Sequence, residues 1–305
     1  MLKAAFQMDA GVVVGKDLTA KFIEEGTRRG HSLFFYEPSA LSLSEGRLVA
    51  DACSVSVKED SLQLYDKVRL HLEELDMIFV RQNPPFDMRY ITTTYMLEML
   101  KNVLFINSPK AVRDFPEKLS PLMFSEFIPP TLITENREEM YAFYREYRDI
   151  VVKPLYSYGG DGVIRLRGDI DVGSILDIMS ARYGAPVVVQ RFVPGVDDDK
   201  RVILLCGEPI GAIRRRVSTR SEFRTNLSVG AVPEAVVLSD RDLAICHAVG
   251  SAISGAGIVL AGIDILGGHL LEINVTSPCG ILEINQVYGT ALEKDCWDKF
   301  ESMLP

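Results

Sequence analysis

The chain has 305 residues, and its 33 Lys and Arg against 42 Asp and Glu leave a net charge of −9. That balance argues against a general nucleic-acid binder or a polybasic membrane-surface protein. A composition of 47% apolar and 25% charged residues is that of an ordinary soluble chain, long enough for two or three domains with a full core. Five scattered cysteines (Cys53, Cys206, Cys246, Cys279, Cys296) with no C-x-x-C point to a reducing compartment without a disulfide framework or zinc knuckle. MLKAAFQMDAGVVVGK breaks at Asp9 and lacks a small-residue cleavage site. No apolar run approaches ~20 residues, so no membrane partner is expected and the expected location is cytoplasmic.

In chain order, LKAAFQM is a short apolar run ended by DAG, and DLTAKFIEEGTRRG has helical spacing with Gly30 as its stop. SLFFYEP, EELDMIFVRQNPP and VLFINSP each repeat a strand-then-turn pattern, which implies an open α/β domain with a largely parallel sheet over 1–115. Asp9, Asn83 and Asn107 then fall near carboxyl ends of strands, where such sheets bind ligands. From residue 119 the rhythm changes. SPLMFSEF and EEMYAFYREY read as helical, DIVVKPL as a strand, YSYGGDGV as a glycine loop and IRLRG as a strand. DVGSILDIMSARYG is a helix, and APVVVQRFVPG a strand entering a turn. KRVILLCGEPIGAIRRRVS reads as a hairpin turning at Gly-Glu-Pro. LSDRDLAICHAVGSAISGAG is a helix capped by Ser239, followed by the apolar hairpin GIDILGGHLLEINVTSP and a C-terminal helix.

Familiar catalytic signatures are missing: no P-loop, G-x-G-x-x-G, G-x-S-x-G or H-E-x-x-H occurs, and the four histidines show no ligand spacing. Three other features carry chemistry. Lys153 closes a β-branched strand, and Gly159, Gly160 and Gly162 follow it; glycines admit phosphate oxygens to backbone N–H groups while lysine supplies charge. An ordinary hairpin has the same pattern. Asp264, Glu272 and Asn274 interrupt the apolar hairpin. A two-residue Gly267-Gly268 turn puts Asp264 opposite Leu271, whereas a three-residue Gly267-Gly268-His269 loop puts it opposite Glu272 and makes all three face one way, with Leu271, Ile273 and Val275 on the other face. Such a hard-oxygen set suits Mg²⁺; a solvated edge is the alternative. Arg201, Arg214, Arg216 and Arg224 cluster in KRVILL and IRRRVSTRSEFRTN, with Arg214 and Arg216 on one strand face. They suit carboxylate capture, or a solvated basic edge.

Together these features, with MDA, VRQNPPFD, INSPKAVRDFPEKL, VVKPL plus GGDGV, DDDKRV, RTNL, GIDI and EINVTSP, make the chain resemble the ATP-grasp ligases and, within them, the bacterial glutathione synthetase family, almost end to end. The resemblance implies an N-terminal α/β substrate-binding domain (1–118). A central ATP-grasp lid domain (119–195) and a C-terminal ATP-grasp domain (196–305) would follow, of α+β type, with ATP between two antiparallel sheets. It implies that Lys118, Lys153 and the Gly159, Gly160 and Gly162 loop hold ATP phosphates, that Gln190, Arg191, Phe192 and Val193 form the adenine hinge, and that Asp199 reaches the ribose. Asp264, Glu272 and Asn274 would bind Mg²⁺ or Mn²⁺. Arg201, Arg216 and Arg224 would bind the peptide substrate or the reacting carboxyl group, with Arg201 and Arg216 catalytic.

The implied reaction phosphorylates the carboxylate of γ-glutamylcysteine with ATP and lets glycine displace phosphate, giving glutathione. A homotetramer is implied as well, and segment 217–230 is expected to act as a lid. The chain departs from the family at Ala10, Asn83, Ser157, Tyr158, Cys279 and Leu282. An ATP-grasp ligase acting on D-alanine or glutamate and a non-catalytic nucleotide-binding regulator are the alternatives.

Overall fold

The computed structural model describes residues 1–59, 61–168, 171–183, 186–195, 198–216 and 231–305. Its first sheet has a parallel centre. β1 (Lys3–Gln7) leads through α1 (Leu18–Arg28) to β2 (Ser32–Tyr36), and a hairpin-like extension follows as β3 (Leu41–Ser44), β4 (Arg47–Lys58) and β5 (Ser61–His71). β6 (Met77–Val80), α2 (Met88–Leu97), β7 (Leu104–Ile106) and α3 (Pro109–Asp114) complete this part. The order is β3-β4-β2-β1-β6-β7, with β5 on β4; β2, β1, β6 and β7 are parallel, and β3, β4 and β5 are antiparallel additions. The parallel centre follows from sequence: MIFV is buried at every position, as a strand covered on both faces must be. The antiparallel extension was not legible, and the sheet is less parallel than expected.

Asp17 caps α1 by accepting from the Thr19 N–H at 2.7 Å, and Leu18, Phe22 and Ile23 turn the helix onto the sheet. The chain crosses to a second, antiparallel sheet of order β10-β9-β11-β8, built from β8 (Thr131–Thr134), α4 (Arg137–Tyr147), β9 (Asp149–Pro154), β10 (Ile164–Arg167), α5 (Val172–Tyr183) and β11 (Val187–Arg191). SPLMFSEF forms only a short 3-10 turn at Ser120–Phe124, because Pro121 opens it and Pro129-Pro130 follow closely. A third antiparallel sheet of order β14-β13-β12-β15-β16 comprises β12 (Asp199–Leu205), β13 (Glu208–Arg216), β14 (Val232–Ala235), β15 (Leu260–Leu266) and β16 (His269–Asn274), with α6 (Asp240–Gly255) before β15. Ser239 caps α6 reciprocally with Asp242. Two helices, α7 (Ile281–Tyr288) and α8 (Leu292–Ser302), end the chain where one was expected.

Both hairpins turn differently from the sequence reading. β12 and β13 turn at Cys206-Gly207, with Leu205 paired to Glu208, so the Gly-Glu-Pro turn is displaced by one residue. Between β15 and β16 the turn is two residues, Gly267 and Gly268 at φ +54° and +72°, with Leu266 opposite His269. Asp264 nevertheless pairs with Glu272, because Leu271 is an extra residue bulged out of β16. The parity came from a bulge in place of a longer loop. Leu270 consequently takes the core position with Ile273 and Val275, and Leu271 faces the cleft.

The last helix folds back onto the first: Trp297 donates its indole N–H to the Phe22 carbonyl at 3.0 Å, and Phe300 meets Phe22 and Phe79 edge-on. One apolar core therefore runs from the first sheet through to the third. Asn107 pins that junction. Its amide donates to the Leu260 and Val275 carbonyls and accepts from the Val259 and Leu260 N–H groups at 2.7–2.8 Å, so it is a structural clamp and not a ligand group.

Candidate active site

The second and third sheets face each other across a cleft. Val151, Val163, Phe192, Val193, Leu266 and Leu271 make one end apolar, while Lys118, Lys153, Asp199, Arg215, Asp264 and Glu272 make the other polar. A flat base with a charged tail suits that division. At the apolar end the backbone N–H of Arg191 donates to Pro130 at 2.9 Å and that of Phe192 to Asp149 at 3.0 Å. Gln190 reaches the Thr131 hydroxyl at 2.9 Å. The Arg165 guanidinium lies 3.3 Å from the Phe192 ring centre and is itself fixed by Asp149. Residues 190–193 are thus held along the cleft wall.

The glycine loop follows β9. Gly160 borders the cleft and Gly159 a neighbouring cavity, both at positive φ. Gly162 departs from the expectation: a Cβ there would collide with Tyr183 and Pro154, so it serves loop packing and borders neither cavity. Lys118 ties the loop to the cleft floor, donating to the Ser157 carbonyl at 2.6 Å and to Glu117 at 2.7 Å. Among the described residues Lys153 has only Glu272, at 3.9 Å. Their titration diverges accordingly. Burial lowers the Lys153 ammonium and Glu272 only partly opposes it; burial also works against Lys118, but Glu272 and Glu117 outweigh it and raise that group.

The carboxylates stand in a row of like charges. Burial, reinforced by the charge of Glu272, pushes Glu117 up to about 7 despite Lys118. Burial also lifts Asp199 to about 6, with Asp264 adding and Arg215 opposing. Asp264 moves the other way: burial disfavours its charge, but Arg201 and Arg215 outweigh that and hold it below the usual range. Asp264 gives its two oxygens to Arg201 at 2.6 and 3.0 Å, and Arg215 reaches one of them at 3.2 Å. Asn274 donates its amide to Gly262 at 3.3 Å, and its side-chain oxygen has no hydrogen-bond partner among the described residues. Glu272 and Asn274 therefore present oxygens fit for a hard cation, while Asp264 is occupied by arginines. No group of three His, Cys, Asp or Glu side chains clusters as a metal site among the described residues.

A second cavity opens beside the first, between Lys16, Asp17, Arg81 and Asn83 on the first-sheet side and Arg201, Asn274, Ser277 and Cys279 on the other. The two cavities share Glu117, Arg215 and Glu272. Asp9 is near this edge, accepting from the Asn83 N–H at 2.8 Å. Asp199, expected at a ribose, is fully buried and engaged by Arg215 at 2.8 Å. Arg216 is not brought to the cleft. β13 pairs Lys200 with Arg214, which puts Arg215 on the face of Asp199 and Arg201 and leaves Arg216 exposed beside Glu234 at 3.2 Å. Arg224 and the 217–230 segment lie outside the described residues. Glu117, Arg215 and Arg81 are site residues that the sequence reading did not assign. Glu117 adjoins Lys118 in PEKL and Arg81 begins RQNPPFD, so position within quoted motifs was the available signal.

Profiles described as "Prokaryotic glutathione synthetase, N-terminal domain" and "Prokaryotic glutathione synthetase, ATP-grasp domain" match residues 2–113 and 117–289. The chain is 63% identical over 304 residues to the glutathione synthetase of Anaplasma centrale, spanning 100% of this chain and 98% of that relative. The chain belongs to the prokaryotic glutathione synthetase family. The Brucella melitensis member is 41% identical over 309 residues, with 99% of each covered.

Among solved structures, the D-cycloserine synthetase DcsG superposes with a TM-score of 0.66 at 16% identity, covering 98% of this chain and 99% of that one. The macrocyclase MdnC bound with precursor peptide MdnA from Microcystis aeruginosa gives 0.65 at 15%, covering 99% and 100%. At such identities these establish the fold, which is ATP-grasp. Of the departures from the family, Cys279 borders the second cavity and accepts from Arg201 at 3.0 Å through its carbonyl, while Leu282 packs against the core.

Proposed function

We propose that the two adjoining cavities hold ATP and a peptide acceptor, and that the enzyme condenses γ-glutamylcysteine with glycine at their junction, releasing ADP and phosphate. The observation that carries this is the sharing of Glu117, Arg215 and Glu272 by both cavities, so a nucleotide's terminal phosphate and an acceptor carboxylate meet at one polar spot.

An ionised carboxylate resists attack by an amine. Its oxygen first takes the γ-phosphoryl group, ADP departs, glycine's amine adds to the acyl phosphate, and phosphate leaves as the amide forms. Lys118 and Lys153 border the polar end of the nucleotide cleft and offset the phosphoryl charge. Arg215, at the junction, and Arg201, beside it, offset the charge that develops on the acyl oxygen. Glu272 and Asn274 would hold Mg²⁺ or Mn²⁺, with Asp264 joining if an arginine moves away; the ion supplies charge neutralisation to the transferring phosphoryl group.

The three sheets support a three-part reading at 1–118, 119–195 and 196–305, with α8 as the element that returns to the first part. A homotetramer is the assembly read from the resemblance, and light scattering would test it. A cytoplasmic location fits five free cysteines and, among the described residues, no helix long and apolar enough to cross a membrane. The deciding experiment is phosphate release with each component omitted in turn. Release that requires ATP, γ-glutamylcysteine and glycine together is expected. Release only with other amino-acid pairs, or nucleotide binding without release, contradicts the reading.

A further inference from the structure

Among the described residues, the buried cations of the two cavities are matched to carboxylates with one exception. Arg201 lies against Asp264, Arg215 against Asp199 and Asp264, Lys118 against Glu117, and Lys153 approaches Glu272. Arg81 is 4% exposed, yet among the described residues its guanidinium meets only neutral oxygens: the Thr19 hydroxyl at 3.2 Å and the Pro278 carbonyl twice at 3.3 Å. No carboxylate oxygen lies within 4 Å of it among the described residues. A buried charge without a counter-charge costs free energy, and long bonds to neutral acceptors offset little of it. Burial accordingly disfavours its charged form, and Asp17, beyond ion-pair distance, only partly opposes that. The guanidinium borders the acceptor cavity, so a ligand there can supply the missing anion.

From this we infer that Arg81 binds the α-carboxylate of the acceptor's γ-glutamyl residue and sets the enzyme's requirement for that group. The inference rests on the proposed reaction. The acceptor has two carboxylates, and the reacting one belongs where the cavities meet, at Glu117, Arg215 and Glu272. Arg81 borders the acceptor cavity but not the nucleotide cleft, which leaves it the far carboxylate. Glycine is the competing source of a carboxylate. Its amine and carboxylate are one carbon apart, so its carboxylate stays close to the junction when the amine attacks there. Asp17, on the same wall, supplies a negative group for the adjoining ammonium of the glutamyl head.

The test compares γ-glutamylcysteine with 4-aminobutanoylcysteine, the same dipeptide lacking only the α-carboxylate, in wild type, Arg81→Met and Arg81→Lys. Phosphate release gives kcat/KM for each acceptor at saturating ATP and glycine. Wild type should lose roughly 100-fold on the truncated acceptor, the size expected for a desolvated charge pair left half-made. Arg81→Met should lose about as much on γ-glutamylcysteine and then use both acceptors alike, with unchanged KM for ATP and glycine. Arg81→Lys should recover part of the discrimination.

The inference is overturned if wild type uses both acceptors equally, which decides the matter even if Arg81→Met does not fold. It is overturned too if Arg81→Met loses equally on both acceptors, as a purely structural role requires, or if the KM for glycine rises instead. Absence of any wild-type turnover with γ-glutamylcysteine and glycine defeats the underlying reaction, an outcome separate from the others.

Discussion

At the seam of α1 and α8, Glu25 is almost buried and takes Arg28 at 2.6 and 2.7 Å and Arg29 at 2.8 Å. Arg29 continues to Glu301 at 2.9 Å, and His31 meets the same carboxylate at 2.7 Å. The Arg28 bond first, then Arg29, outweigh burial and bring Glu25 down to about 2. In the cleft, Glu117 and Asp199 also lie beside cations, yet they end near 7 and 6 because burial, reinforced by the like charge of Glu272 and Asp264, outweighs those cations. One cluster has settled its charges with its own residues. The other holds carboxylates that are only partly balanced, which is the condition of a site built to receive cations and phosphates.

Substitutions can break this contrast, and the largest effect belongs to the cleft. Glu272→Gln should cut phosphate release by roughly 10³-fold while changing the melting temperature little, because it relieves the crowding of Glu117 but takes a carboxylate from Lys153. Wild-type turnover in that variant, or a marked loss of stability, would reverse the assignment of the two regions. Glu25→Gln should do the opposite, lowering stability by about 2 kcal/mol in urea unfolding while kcat stays constant.

Smaller, but of opposite sign in the two regions, is the pH dependence. Between its ordinary 4.5 and its folded value near 7, Glu117 holds a proton that the unfolded chain has lost. The unfolded state then binds fewer protons, so this group makes the ligand-free protein less stable as pH rises through that window. Glu25, with its value lowered, contributes stability that is present above 4.5 and fades as pH falls towards 2. Glu117→Gln should therefore stabilise the ligand-free protein by about 1 kcal/mol near pH 8 and by nothing near pH 4, as thermal melts across pH would register.

Sequence pattern made the parallel centre, α1, α6 and the oxygen-bearing hairpin legible, because each combines an apolar period with a capping or turning residue. It pointed to the Asp264–Glu272 pairing while giving the wrong cause, since a bulge at Leu271 and a longer loop shift parity alike. Leu62, Leu64, Val68 and Leu70 do alternate along β5, but residues 64–69 are all exposed, so that alternation marks no buried face and the strand escaped. Three successive arginines on β13 fix only that Arg214 and Arg216 share a face. Which face meets the cleft depends on pairing with β12, which the segment itself does not encode. Arg81 and Glu117 look like ordinary charged residues in one dimension, and Trp297 gives no sign that it returns to Phe22. Burial and partners, which are tertiary facts, turn them into site and core.

The contrast between settled and unsettled charge is tested most directly by counting the protons that leave the protein when preformed Mg–ATP binds, using calorimetry in buffers of different ionisation heat. At a pH of about 6.5, Glu117 and Asp199 together carry about one proton in the ligand-free protein, and bound cation should drive it off. Release of about one proton, disappearing near pH 9 and reduced in Glu117→Gln, is the predicted result. Proton uptake, or no exchange at any pH, would contradict it.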